Sequence, residues 1–288
     1  LERRVQELEA ANRQLTAAQL HRASAQWEEL WRGVRPVELR PDLAVRAGEL
    51  AGRHALKASD AVHVASALAI DTIHRHINEA SQQSDRPLIG PVAAQVAPPT
   101  NRLASAVRDA NRVIYAQAGK RPEWAGMGTT VVAALLTDRL LSFAHVGDSR
   151  LYLIRARSIR PLTDDHSWVA EQVRSGLMTE EEAERSPRRN MVTRAVGVQP
   201  DVDVSVGEIE LHAGDVLLLC SDGLTRGVSA GAILHSLTRT DDMSETAQHL
   251  ISLANDAGGD DNITVVTLAI HDAQEQTMWH RVRQRMAM

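Results

Sequence analysis

The sequence predicts an α+β fold: a sheet sandwich with helices outside, preceded by an α-helical N-terminal segment. Three observations carry this. From Gly128 onward, short β-rich runs are joined by tight turns. Helical blocks lie between those runs instead of alternating strictly with them. The first hundred or so residues show helical periodicity broken by prolines and glycines. The 288 residues allow one large domain or two small ones, and 43% apolar content is enough for a globular core. Aromatics are only 3%, so that core must be built from Ala, Val, Leu and Ile.

The elements follow in order. Leu1, Val5, Leu8, Asn12 and Leu15 fall at alternating spacings of four and three, an a/d seam with Asn at one a position. Residues 1–24 read as a coiled-coil-like helix able to pair two copies of the chain. A solvated amphipathic helix fits the same spacing. Val34, Val37 and Leu39 suit a short strand, and Pro41-Asp42 opens a helix with Leu43, Ala47, Leu50 and Ala51 on one face. Ser59 suits the N-cap of a helix that starts at Asp60 and runs past Leu68 toward Ile77. Residues 81–99, with Pro87, Gly90, Pro91, Pro98 and Pro99, read as a linker. A helix follows on Leu103, Val107, Ala110, Val113 and Ile114.

Thr129 to Leu136, Leu140 to Val146 and Leu151 to Ala156 form an antiparallel meander, with turns at Asp138-Arg139 and Gly147-Asp148-Ser149. Polar helical sequence runs from Trp168 to Glu184. Strands resume at Val204 to Leu211 and Val216 to Cys220. Helices near Ala230–Leu237 and Ser244–Asn255 precede a last strand at Ile263–Ala269, and residues 271–288 form a polar tail.

Bulk properties narrow the function. A net charge of −5 argues against binding nucleic acid through a bulk basic field. One cysteine, Cys220, allows no intramolecular disulfide and fits a cytoplasmic setting. No apolar run reaches the ~18–20 residues that span a bilayer. The chain begins at Leu1, not Met, and sequence upstream of it is expected.

Chemistry concentrates in three acidic turns: Gly147-Asp148-Ser149-Arg150, Ser221-Asp222-Gly223 and Gly258-Gly259-Asp260-Asp261-Asn262. Each sets a carboxylate at a strand end, beside a glycine that lets the backbone turn sharply. Any one reads as an ordinary Asp-Gly turn. Three at strand ends can converge, and an all-carboxylate set without His or Cys suits a hard cation, Mg²⁺ or Mn²⁺. His74 and His76 are expected at the surface of a polar helix. His166 is expected to be structural, Cys220 to pack on a buried strand, and Arg194 to orient flap or acidic groups and not to bind phosphate.

These turns, with Gly126-Met127-Gly128-Thr129-Thr130, His145-Val146-Gly147-Asp148-Ser149-Arg150, Leu162-Thr163-Asp164-Asp165-His166-Ser167, Val192-Thr193-Arg194-Ala195-Val196-Gly197, Ser221-Asp222-Gly223-Leu224 and Asp260-Asp261-Asn262-Ile263-Thr264, resemble the bacterial PPM-type (protein phosphatase 2C-like) serine/threonine phosphatases. The resemblance spans residues 65–270. It implies two packed antiparallel sheets flanked by helices (an αββα sandwich). It also implies a binuclear Mn²⁺ or Mg²⁺ site, hydrolysis of phosphoserine and phosphothreonine in phosphorylated protein substrates by metal-activated water, and a flap over residues 168–189. By motif match, Asp222 and Asp261 are implied metal ligands, and Asp148 helps hold an additional, weaker metal.

Two family motifs do not occur. There is no Asn-Glu-Asp in the chain and no Asp-Gly before residue 126. The phosphate-binding Arg and the metal-bridging Asp of those motifs therefore have no counterpart. Dications about 4 Å apart repel strongly unless bridging carboxylates neutralise them. The expectations are an incomplete sandwich, one weakly held metal and impaired activity. A non-catalytic regulatory module is the alternative. Residues 25–68, with Pro36-Val37-Glu38-Leu39 and the run from Glu49 to Leu68, are similar to the later part of a PIN-domain nuclease. Asp60 is the only acid of that family's cluster with a counterpart, so a ribonuclease remnant is a further reading.

Overall fold

Sheet pairing in a computed structural model of the chain sets four layers; residues 58–82, 87–120, 124–259 and 261–271 are described. The readings placed on residues 1–57 and 272–288 lie outside the described residues.

Strands β1 (Val131–Thr137), β2 (Leu140–Val146) and β5 (Ser205–Glu210) form one antiparallel sheet in the order β1-β2-β5. Strands β3 (Arg150–Arg155), β4 (Ser158–Pro161), β6 (Val216–Cys220) and β7 (Val265–Ala269) form a second, in the order β4-β3-β6-β7. Period-two alternation assigns each side chain to a layer. Leu141 and Phe143 of β2 meet Leu151 and Leu153 of β3 and Leu217 of β6 between the sheets. Ala144 and Val146 point the other way, toward helices α1 (Ala58–Gln82) and α2 (Pro98–Ala118). Tyr152, Ile154, Leu218 and Cys220 pack instead on α5 (Asp222–Gly227), α6 (Ala230–Leu237) and α7 (Met243–Asp256). The result is the αββα arrangement. The α3 (Trp168–Arg174) and α4 (Glu180–Arg185) helices lie between β4 and β5 in sequence. Ser167 caps α3, and Thr179 with Glu182 forms a capping box on α4.

Several expectations are corrected. Pro98 and Pro99 do not belong to a linker. They open α2, where a missing N–H costs nothing. Helix α1 includes Ser59 and runs unbroken across residues 64–73, where the two family resemblances meet. Strand β4 was not anticipated; it follows a turn in which Ala156 and Arg157 both have positive φ. His74 is exposed, as expected of the polar helix, but His76 is only 1% exposed. Its Nδ1 meets Asp109 Oδ2 at 3.0 Å and its Nε2 meets Ser105 Oγ at 3.3 Å, tying α1 to α2. His76 and Ser105 of this Ser-His-Asp chain are buried in the helix interface, where no substrate can reach Ser105, and Asp109 is partly exposed.

Among the described residues, β7 is an edge strand of its sheet. On β7, Val266 and Leu268 pair in register with Leu219 and Leu217, the β6 residues that face between the sheets. Yet Val266 is 52% and Leu268 45% exposed. The smaller sheet is three-stranded among the described residues, in the order β1-β2-β5.

Candidate metal centre

Strand ends gather the acidic turns. β2 ends at Val146, and Gly147 turns the chain at φ +105° so that Asp148 follows at once. The turn is tight. A Cβ on Gly147 would lie 2.3 Å from Thr130 Cγ2, and the Gly147 N–H donates to His166 Nδ1 at 3.1 Å. His166 Nε2 meets Ser205 Oγ at 2.9 Å, and its ring stacks on His145 at 4.6 Å. The expected structural role of His166 is thereby given its partners. Burial, then the neighbouring His145, lowers its pKa to about 4.

Asp222 lies at the start of α5, directly after β6, in a helix where the sequence suggested only a turn. Ser221 precedes it but does not cap that helix. Its hydroxyl donates to Asn262 O at 2.9 Å and accepts from Thr264 N–H at 3.0 Å. The Ser221 N–H reaches Thr264 O at 3.1 Å. Gly223 packs against the same segment, and a Cβ there would lie 2.5 Å from Asn262 O. These contacts hold the 261–264 segment beside α5 and bring Asp261 to Asp222.

A guanidinium joins the two carboxylates. Arg226 Nη2 donates to Asp222 Oδ2, and Arg226 Nη1 donates to Asp261 Oδ2 at 2.7 Å. Asp261 Oδ1 accepts the Asn262 N–H at 2.7 Å. Asp148, 8% exposed, feels Asp222. Burial first, and then the negative charge of Asp222, raises its pKa to about 6. Asp222 is raised by burial, against the pull of Arg226, with Asp261 adding to the rise.

Two residues of the centre were missed from sequence. Asp165 interacts with both Asp148 and Asp222 and forms a forked pair with Arg150, whose Nε and Nη2 donate at 2.8 and 2.7 Å. Arg226 is the other, and its place one helical turn after Asp222 was a usable signal. Arg194 pairs with Asp203 at 2.9 Å. Cys220 is buried, and desolvation pushes its thiol up to about 12, which fits packing and not nucleophilic chemistry. Asp60 falls within α1, with its side chain outside those described.

The donor set fits a hard dication in kind. It is all carboxylate, and a cationic group already stands between Asp222 and Asp261. Among the described residues, no three His, Cys, Asp or Glu side chains are drawn tightly enough together to hold an ion as they stand.

A layered sandwich with carboxylates at its strand ends defines a class, and comparison with known proteins agrees. Residues 56–265 match the model of the protein phosphatase 2C family, and the chain belongs to that family. It is 38% identical over 156 residues to the protein phosphatase PhpP of Streptococcus pneumoniae, covering 54% of this chain and 63% of that one. The chain thus spans just under two thirds of this relative. The serine/threonine phosphatase PstP/Ppp of Mycobacterium tuberculosis superposes with a TM-score of 0.64 at 34% identity, over 75% of this chain and 86% of that one. The catalytic domain of PstP in complex with two manganese ions gives 0.62 at 35%, over 75% and 85%.

Proposed function

We propose that this chain carries the metal-dependent phosphoserine/phosphothreonine phosphatase chemistry of its family, at a rate well below that of an intact relative. The observation that carries the reading is the convergence of Asp222 and Asp261 on one cation, with Asp148 beside them. Asp222 and Asp261 would hold a divalent Mn²⁺ or Mg²⁺ ion, and Asp148 would help hold a further, weaker one. Such an ion supplies a lowered water pKa and neutralises phosphate oxygens. The chain's own residues position it: Ser221 and Gly223 fix the Asp222–Asp261 spacing, and Arg150 holds Asp165. The reduced rate follows from the missing Asn-Glu-Asp and early Asp-Gly motifs, because no residue of this sequence matches the bridging Asp or phosphate Arg.

Phosphorylated proteins are the substrates this reading implies. Cytoplasmic residence is supported by the single cysteine, and among the described residues no helix is long and apolar enough to cross a membrane. Pairing of two copies through the Leu1–Leu15 seam is part of the same reading.

The test is Mn²⁺-dependent release of phosphate from a phosphothreonine peptide. Slow turnover that disappears in Asp222→Ala is expected. Turnover equal to that of an intact relative would overturn the impairment. Turnover that persists in Asp222→Ala would overturn the site. A non-catalytic regulatory module is the second reading, favoured by the guanidinium that satisfies both carboxylates without a metal.

A further inference from the structure

The inference concerns Arg226 and rests on the metal-site reading above. Arg226 sits in the last turn of α5, one helical turn after Asp222. Its fork spends one nitrogen on Asp222 and the other on Asp261, so a single planar cation bridges a carboxylate of α5 and one of the loop before β7. An ion pair that served α5 alone would need only the Asp222 contact. The reach to Asp261 places positive charge between the two carboxylates that would hold a metal.

We propose that Arg226 is an internal occupant of the cation position, so that a divalent cation enters only by displacing its guanidinium. The exchange is physically open. Arg226 is partly exposed, and its long side chain can swing to solvent without unfolding α5. A monovalent guanidinium leaves the Asp148–Asp165–Asp222–Asp261 group under-neutralised, even with Arg150 opposite Asp165. A dication is therefore the stronger partner once it is abundant. Until then Arg226 holds the 261–264 segment against α5 and keeps the carboxylates from repelling each other apart. The residue acts as a placeholder that raises the metal concentration at which the site fills.

Titration calorimetry with Mn²⁺ alone tests this on the full chain and on Arg226→Gln and Arg226→Lys. Gln removes the charge; Lys keeps the charge but loses the planar two-carboxylate fork. Arg226→Gln should bind Mn²⁺ about tenfold more tightly, the loss of roughly one charge-assisted hydrogen bond as competitor. Arg226→Lys should fall between the two. Without metal, Arg226→Gln should melt at a lower temperature than the parent chain, and saturating Mn²⁺ should close the gap. Equal affinity in all three proteins overturns the placeholder and leaves the metal site standing. Lys matching Arg, with only Gln tighter, also overturns it, since net charge alone then explains the gain. No binding by any protein overturns both this inference and the metal reading beneath it. Should Arg226→Gln fail to fold, the comparison of Lys with Arg decides the matter.

Discussion

Gly223→Ala tests how the strand-end clamp sets the proposed metal centre. The added Cβ would lie 2.5 Å from Asn262 O, about 0.9 Å inside the 3.4 Å at which ordinary contact begins. The obstacle is backbone, so it cannot rotate away. The 261–264 segment must therefore move off α5. Overpacking of this kind costs about 1–3 kcal/mol. The movement also stretches the Ser221 hydroxyl bonds to Asn262 O and Thr264 N–H, each contributing about 1 kcal/mol. A loss of roughly 2–3 kcal/mol in urea unfolding is expected. Mn²⁺ affinity should fall too, because Asp261 retreats from Asp222. Gly231→Ala in α6 is the control. A Cβ there meets nothing nearer than Ser229 Oγ at 4.0 Å, and Ala gains up to about 1 kcal/mol over Gly in a helix. If Gly223→Ala proves as stable as Gly231→Ala and binds Mn²⁺ like the parent chain, the clamp does not set the site.

Two more predictions concern the scaffold. Arg155 donates from Nε and Nη2 to Asp215, which is 2% exposed, and also from Nη2 to Glu210 O at the end of β5, so it ties the two sheets together. Arg155→Met should cost about 1–2 kcal/mol in urea unfolding, discounted because Arg155 is itself partly exposed, and Asp215→Asn in that background should recover part of it. The second concerns acid. The folded-state pKa of His166 is about 4, against about 6.5 unfolded, so the unfolded chain binds more protons between those values. Its contribution is fully present above pH 6.5 and is lost as pH falls toward 4, by up to about 3 kcal/mol. His145, lowered chiefly by burial, adds in the same direction. The stability difference between the parent chain and His166→Gln should narrow across that window, and a constant difference would sink the argument.

Much of this architecture was legible in the sequence because local signals and tertiary demands agreed. Strands β2 and β6 and helix α6 appear with the bounds their apolar runs suggested. Elsewhere one level overrode another. Ser221-Asp222-Gly223 has the composition of a turn, yet it starts a helix of six residues, too short to leave a periodic trace. β4 is only four residues long and alternates no apolar face. The two prolines of α2 sit at the one place in a helix that tolerates them. His76 looked polar among polar neighbours, and only the packing of α2 against α1 buries it. The site divides in the same way. Motif order pointed to Asp148, Asp222 and Asp261 as candidates, whereas the Arg150–Asp165 pair joins β3 to the loop before α3 across fifteen residues, and nothing local announces it.

The central claim is the proposal that Asp222 and Asp261 hold a divalent cation, with Asp148 helping to hold a further, weaker one. Electron paramagnetic resonance of Mn²⁺ tests it directly, since the free hydrated ion gives a sharp signal that binding broadens away. The account predicts that the parent chain depletes the free-ion signal and that Asp222→Asn and Asp261→Asn leave it undiminished. Equal depletion by the parent chain and both variants would place the metal elsewhere and contradict the account.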